Sequence, residues 1–447
     1  MTHIFYKIWN KKNIESYNLN IFLKYIIMKI ISFKEYQNIN DINTKDKTER
    51  NIGYNIFNDI LLTGRNNYYP NVLLFNSNNN SLISPYDEKI MSLNKDNFYD
   101  NNIYNYEKSN IEKNVINVPV FFFIYNFDNY YHFLYDTLPY LYTYLHLKKD
   151  IKDLKLLVNY PNKNKNNFYK FNLELLEKIV DINDLLIHDE RNMYKYVYVS
   201  TSLTHGGYSN NPPRNEIYSI YDKIISNINY DNVSNKYKNI DKIYISRRTH
   251  INNDNSNIGT DYTTRRKMIN EDELVNIFNN NGYVEIFAEN LNIDEKIYLF
   301  SNAKVIIGSI GGGMSNLLFS KKTTKSIILV TPYFLEINNR FKYSMENTDI
   351  TYFYDVTTYK EDNIIPLYCR ANILNKKSEY FGKYGEICDY NKNTNKYLVN
   401  ISNNDVAGFN NLINFTNNWF EENELTLLDN GLNSPYIVNI NNLLQFI

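Results

Sequence analysis

The stretch that decides the fold is Val305-Ile306-Ile307-Gly308-Ser309-Ile310-Gly311-Gly312-Gly313-Met314-Ser315-Asn316. A short apolar run ends in glycines, and a segment with helical character follows. Such a strand-to-helix turn brings bare backbone N–H groups and a helix N-terminus to one point, which suits a phosphate or diphosphate. Glycine alone lets a backbone turn so sharply and come so close to a ligand. The chain has 14 glycines in 447 residues, yet four fall between Gly308 and Gly313, so the turn is a concentration rather than background.

Working outward, residues 242–246 read as a strand. Asn270 is a candidate N-cap with Glu273 at the reciprocal position. Leu274, Ile277 and Phe278 follow at helical spacing, and Gly282 sits just past the helix end. A strand is expected over 283–287. Asn292 and Glu295 repeat the cap pattern ahead of a helix reaching Phe300. Strands over 305–307 and 326–330 flank a short helix at 314–319. Alternation of this kind implies a parallel sheet with its ligand beyond the C-terminal strand ends. Ser246-Arg247-Arg248 and the glycine turn both fall there.

A second alternating region lies upstream, over about 115–235. The Phe-rich run 118–125 reads as a buried strand, 128–146 as a helix bent at Pro139, and 155–158 as a strand. A polar loop at 161–167, a helix at 173–180 and a strand at 196–200 complete it. The expected boundaries are a polar N-terminal region of uncertain structure (1–114), an α/β domain (115–238), a second α/β domain (239–360) and an extension of unknown role (361–447). The N-terminal region should hold a few strands around apolar islands such as 72–75, and the extension a helix over 410–420.

Composition excludes several classes. The chain carries 48 basic and 49 acidic residues, which is not the footprint of a nucleic-acid binder. Cys369 and Cys388 are too few for a disulfide framework and fit a reducing compartment, with one bridge between them open. The apolar run 21–33 is broken by Lys24 and Lys29, too short and too charged for a transmembrane helix and a poor signal peptide. These features predict a cytoplasmic protein rather than one of the secretory pathway. The 43 Tyr and 25 Phe, with abundant Asn, Ile and Lys, look like AT-rich coding of the kind found in large DNA viruses and parasites. Single Asn, Lys and Tyr residues therefore carry little functional signal.

Each candidate motif has a plain alternative. The glycine turn lacks the dinucleotide fingerprint, which needs Gly where Ile310 stands, and it has no P-loop Lys-Ser pair. It could be a tight turn with no ligand. Ser246, Arg247 and Arg248 at a strand end could grip a diphosphate, since arginine offers a planar, permanently charged fork; alone, such a pair is more often surface. Glu289 follows a strand, where a carboxylate could accept from a ribose or sugar hydroxyl, or simply be a solvated loop residue. His132 and Asp136 are four apart on a predicted helix and share a face. A carboxylate can orient an imidazole for general-base work; the alternative is a buried packing pair. No zinc spacing, no Gly-x-Ser-x-Gly turn and no Asp-x-Asp occurs.

Four ordered blocks resemble glycosyltransferase family 61. They are Asn129-Tyr130-Tyr131-His132-Phe133-Leu134-Tyr135-Asp136-Thr137-Leu138-Pro139; Ile243-Tyr244-Ile245-Ser246-Arg247-Arg248; Arg265 through Asn270-Glu271-Asp272-Glu273-Leu274; and Glu289-Asn290-Leu291 through Ala303 to the glycine turn. Their order and spacing match over about 117–355. The resemblance implies a GT-B-like architecture, two Rossmann-like domains facing across a cleft, with the acceptor side N-terminal and the nucleotide sugar C-terminal. It implies inversion at the sugar carbon with no metal and no cofactor beyond the nucleotide-sugar donor. Ser246, Arg247, Asn270, Glu289, Gly311, Gly312, Gly313, Ser315 and Asn316 would then hold the donor, and His132 or Asp136 would deprotonate the acceptor. Two positions depart from the family. It usually has His-Gly-Ala-Gly-Leu where Ile310-Gly311-Gly312-Gly313-Met314 stands, and a Glu near Leu329.

The leading expectation is an inverting hexosyl- or pentosyltransferase acting on a glycan or protein hydroxyl, with no nucleic-acid partner and no membrane span. The second is an inactive nucleotide-sugar or glycan-binding protein on the same fold, motivated by Ile310 and Leu329. The third is a Rossmann oxidoreductase, against which the missing fingerprint glycine counts.

Overall fold

The computed structural model describes residues 50, 52–63, 73–76, 81–85, 89–92, 114–161, 167–189, 191–204, 212–248, 268–331, 339–345, 348–358, 365, 370–402, 415–429 and 435–447. The apolar run 21–33 and Cys369 lie outside these residues. Among the described residues no helix is long and apolar enough to cross a membrane.

The first sheet has nine strands: β1 Tyr54–Thr63, β2 Leu73–Asn76, β3 Ser81–Ser84, β4 Lys89–Ser92, β5 Asn114–Ile116, β6 Val120–Phe122, β7 Lys155–Val158, β8 Leu185–Ile187 and β9 Asn192–Ser200. Strands β9, β6, β7 and β8 pair in parallel. Strands β1 to β4 form an antiparallel extension joined through β1 and β9. The polar N-terminal region thus supplies four strands to this sheet, including the ten-residue β1.

The second sheet is wholly parallel, with β10 Lys242–Ile245, β11 Val284–Ile286, β12 Val305–Ser309, β13 Lys325–Leu329 and β14 Asp349–Phe353 in the order β11-β10-β12-β13-β14. A parallel sheet is covered on both faces, and its strands read as continuous apolar runs. Ile306 and Ile328 belong to a core shared with the first sheet, while Ile307, Ile327 and Leu329 pack with Leu274 and Phe278 on the other face.

Among the described residues, five helices of eight residues or more connect the strands: α1 Leu141–Asp150, α2 Lys170–Glu177, α3 Ser219–Ser226, α4 Glu271–Asn280 and α5 Ile293–Asn302. Asn292 and Glu295 form the reciprocal cap expected at the start of α5. Gly282 ends the α4 turn at φ +77°, a value glycine adopts without strain.

Three local expectations are corrected. Residues 128–146 are not one bent helix; a π-helical turn, His132–Thr137, passes through a 3-10 turn, Leu138–Tyr140, into α1. Pro139 lacks an N–H and cannot continue an α-helical ladder. Asn270 precedes α4, but its side chain makes no cap; it donates to Val438 O at 2.7 Å and accepts from Val438 N at 3.1 Å. The helix expected over 410–420 is a strand where described, Phe415–Glu421.

That strand is β19 of an antiparallel sheet with β16 Arg370–Ile373, β17 Tyr384–Asn391, β18 Lys396–Ser402 and β20 Leu425–Asp429. A short pair, β15 Val356–Thr358 with β21 Tyr436–Val438, leads out of and back to the parallel sheet. Tyr436 is fully buried beneath that sheet, with its hydroxyl 2.6 Å from Ser309 Oγ.

Candidate functional site

The parallel sheet changes direction of winding between β10 and β12, which are neighbours although β11 lies on the outer side of β10. Ligands of open α/β sheets lie beyond the C-terminal ends of the strands at such a switch point. Ser246-Arg247 leaves β10 there, and the glycine turn leaves β12 there.

The glycines differ in what they do. A Cβ on Gly308 would lie 2.6 Å from Met314 Sδ and 2.9 Å from Ile245 Cβ, so this glycine permits close packing inside the fold. Gly311 has φ +155°, and a Cβ there would lie 2.9 Å from Arg247 Nη1. The Arg247 guanidinium therefore rests against the turn. A Cβ on Gly312 would meet nothing within 4 Å, so a side chain there would point into open space. Ser315 Oγ donates to Gly312 O at 2.6 Å, and Asn316 Nδ2 donates to Gly313 O at 2.9 Å. Both side chains brace the turn from within.

Ser246 and Arg248 have partners inside the protein. Glu271, a buried residue that sequence reasoning did not single out, accepts from Tyr244 Oη at 2.8 Å, Ser246 Oγ at 3.0 Å and Arg247 N at 2.8 Å, all on one oxygen. It fixes the backbone from which Arg247 extends. Arg248 is held by both oxygens of Glu285, at 2.8 and 2.5 Å, and by Asp272 at 2.8 Å. Asn270 is tied to β21 and lies away from the glycine turn in its hydrogen bonding. Glu289 is half-buried in a 3-10 turn, Ala288–Asn290, directly after β11.

The helical turn after β6 contributes the other half. His132 Nδ1 lies 2.6 Å from Asp136 Oδ2, and Asp136 is only 1% exposed. Arg340, not anticipated from sequence, joins them: its Nε donates to Asp136 Oδ1 at 2.9 Å, and its Nη2 contacts Asp136 Oδ2 and lies 2.7 Å from His132 Nδ1. A guanidinium only donates, so Nδ1 bonds Arg340 through its lone pair or Asp136 through its proton, never both. Arg340 therefore bears directly on which ring nitrogen carries the proton.

Tyr130 joins the two halves. Its hydroxyl donates to Asn316 Oδ1 at 2.5 Å. Burial, and next the Glu174 carboxylate, hold the phenol well above the ordinary tyrosine range, so it remains a donor. One hydrogen bond thus links the His132 turn to the glycine turn. Ile310 and Leu329, where the family pattern differs, are both buried and joined by Ile310 N donating to Leu329 O at 2.9 Å. Among the described residues no group of three His, Cys, Asp or Glu is placed to hold a metal ion.

The family model described as Glycosyltransferase 61 matches residues 130–327, beginning at Tyr130 and taking in Arg247, Glu289 and the glycine turn. A comparison with curated proteins found no match. The match over residues 130–327 supports assigning that stretch to glycosyltransferase family 61.

Proposed function

We propose that the protein is an inverting, metal-independent glycosyltransferase of GT-B-like architecture that moves a hexose or pentose from a nucleotide sugar to a glycan or protein hydroxyl. The observation that carries this reading is the hydrogen bond from Tyr130 to Asn316. It joins an imidazole–carboxylate pair to a glycine turn with an arginine against it. In the proposed reaction the acceptor oxygen attacks the anomeric carbon. The bond from that carbon to the phosphate oxygen breaks, and its electron pair stays on the diphosphate. Arg247 and the N–H groups around Gly312 stabilise the charge that develops there. His132, with Nδ1–H directed to Asp136, takes the acceptor proton on Nε2. Glu289 accepts from a donor hydroxyl, and positioning supplies the rest of the acceleration.

A second reading rests on Arg340 and Ile310. Arg340 occupies Asp136 and reaches His132 Nδ1, and Ile310 places an aliphatic side chain where the family has an imidazole. In this reading the chain binds a nucleotide sugar or glycan without turning it over. The test is a panel of nucleotide sugars in thermal-shift and nucleotide-release assays, with Arg247→Ala and His132→Ala. Ligand stabilises only a state that binds it. Transfer lost in both variants supports the enzyme. A shift without nucleotide release favours the binding protein, and no shift with any donor rejects both.

A further inference from the structure

Lys296 lies on α5 and is only 5% exposed. Its ammonium sits 4.7 Å from the centre of the Tyr130 ring. Neighbouring lysines have carboxylate partners: Lys178 with Asp294 at 2.6 Å and Lys170 with Glu174 at 3.7 Å. Among the described residues, no hydrogen bond or ion pair reaches the Lys296 ammonium. Glu174 and Lys170 from α2 and Glu289 from the turn after β11 face it, and the two glutamates favour its charge without touching it. Burial is the larger influence and lowers its pKa to about 8. Withdrawing an ammonium from water is costly unless a partner is supplied, so packing alone is no reason to place lysine here.

Its surroundings indicate the missing partner. The ring beneath the ammonium is that of Tyr130, whose hydroxyl reaches Asn316, and Asn316 bonds the carbonyl of Gly313. Helix α5 itself packs on the 314–319 turn. The buried cation is therefore one aromatic ring away from the glycine turn, with Glu289 in electrostatic range. A cation on a ring face retains its capacity to donate to an anion.

We propose that Lys296 is an anion-binding residue of the donor site, its ammonium taking a phosphate oxygen of the bound nucleotide in addition to Arg247. This rests on the donor-site reading above. The partner is a phosphate oxyanion, because such a group completes the cation and is where negative charge grows as the sugar leaves. An oxyanion beside Lys296 favours the charged ammonium, so binding above about pH 8 takes up a proton and weakens as pH rises.

The experiment is calorimetric titration of the full chain with inorganic pyrophosphate, uridine diphosphate and guanosine diphosphate at pH 7 and pH 9. Wild type is compared with Lys296→Met, Lys296→Arg and Arg247→Ala. The expected result is binding of at least one probe, weakened about tenfold or more by Lys296→Met, about one charge-assisted hydrogen bond. Lys296→Arg keeps the binding and removes its decline between the two pH values. The free Lys296→Met protein should melt no lower than wild type, because the change removes a buried charge that no hydrogen bond or ion pair satisfies. Equal affinity in a normally melting Lys296→Met protein overturns the assignment. If Arg247→Ala alone abolishes binding, the donor site stands and Lys296 falls. If no probe binds wild type, both fall. Should Lys296→Met melt early, the comparison of wild type with Lys296→Arg decides, and an identical pH dependence in the two overturns the proposal.

Discussion

Arg340 Nε donates to Asp136 Oδ1 at 2.9 Å, across 204 residues of sequence. Asp136 is almost wholly buried and Arg340 partly so. Removing one partner of a buried pair leaves the other charge uncompensated, typically at about 3–5 kcal/mol. Arg340→Ala should cost about 3 kcal/mol, near the lower figure because His132 remains beside the carboxylate. Urea denaturation measures it. Asp136→Asn with Arg340→Ala should cost less than the sum of the two, because the second change removes a charge already stranded.

Gly308 and Gly312 should behave oppositely. Gly308→Ala places a methyl against Met314 and Ile245 and should cost about 1–3 kcal/mol through overpacking of β12 against β10. Gly312→Ala meets nothing in the free protein and should leave the melting temperature within about a degree. If the turn receives a diphosphate, the Gly312 methyl stands in its way and nucleotide affinity falls. Unchanged affinity in Gly312→Ala would remove this backbone from the donor site.

Glu271 carries three donors on one oxygen. Glu271→Ala should cost about 3 kcal/mol or more, since the Tyr244 and Ser246 hydroxyls lose their acceptor in a buried place. Ser246→Ala should cost about 1 kcal/mol and leave Arg247 in position, because the Arg247 N–H keeps Glu271. Equal donor affinity in Ser246→Ala and wild type, by titration, would assign Ser246 to the scaffold.

Acid should loosen the join between α5 and the segment after α3. Asp294 accepts from Lys178, Asn232 and the backbone of Asn229 at 2.6, 2.8 and 2.8 Å. Burial alone would raise its pKa, but these donors together outweigh it and hold the carboxyl below the ordinary aspartate value. A carboxyl depressed on folding stabilises the protein at pH values above its unfolded pKa of about 4, and that stability is lost as pH falls through the folded value. Asp294→Asn should therefore be less stable than wild type at pH 7, with the gap closing below about pH 4. A gap of constant size from pH 7 to pH 3 would show that the charge is not what matters.

Much of the parallel-sheet unit is legible along the chain because its signals are local. Strands 242–245, 305–309 and 325–329 are compact apolar runs, and the cap of α5 is written in two residues three apart. The glycine turn announces itself by concentration. What escapes reading depends on partners far away in sequence. Asn270 has the composition of a cap, yet Val438, 168 residues on, takes its side chain. Residues 415–421 contain helix-compatible spacing, but pairing with β18 draws them into a strand with Phe420 buried and Trp419 outward. Glu271, Arg340 and Lys296 look like any of the chain's many charged residues. Only the fold shows that the first gathers three donors, the second spans both halves, and the third is buried on a ring.

The short pair of β15 with β21 aligns Thr358 opposite Tyr436. Among the described residues, the strands that precede and follow the antiparallel sheet of 370–429 therefore lie side by side. In topological terms that sheet is one long excursion from a closed unit. It can be enlarged, trimmed or exchanged for another module without rethreading any strand of the parallel sheet, provided β21 still returns to seat Tyr436.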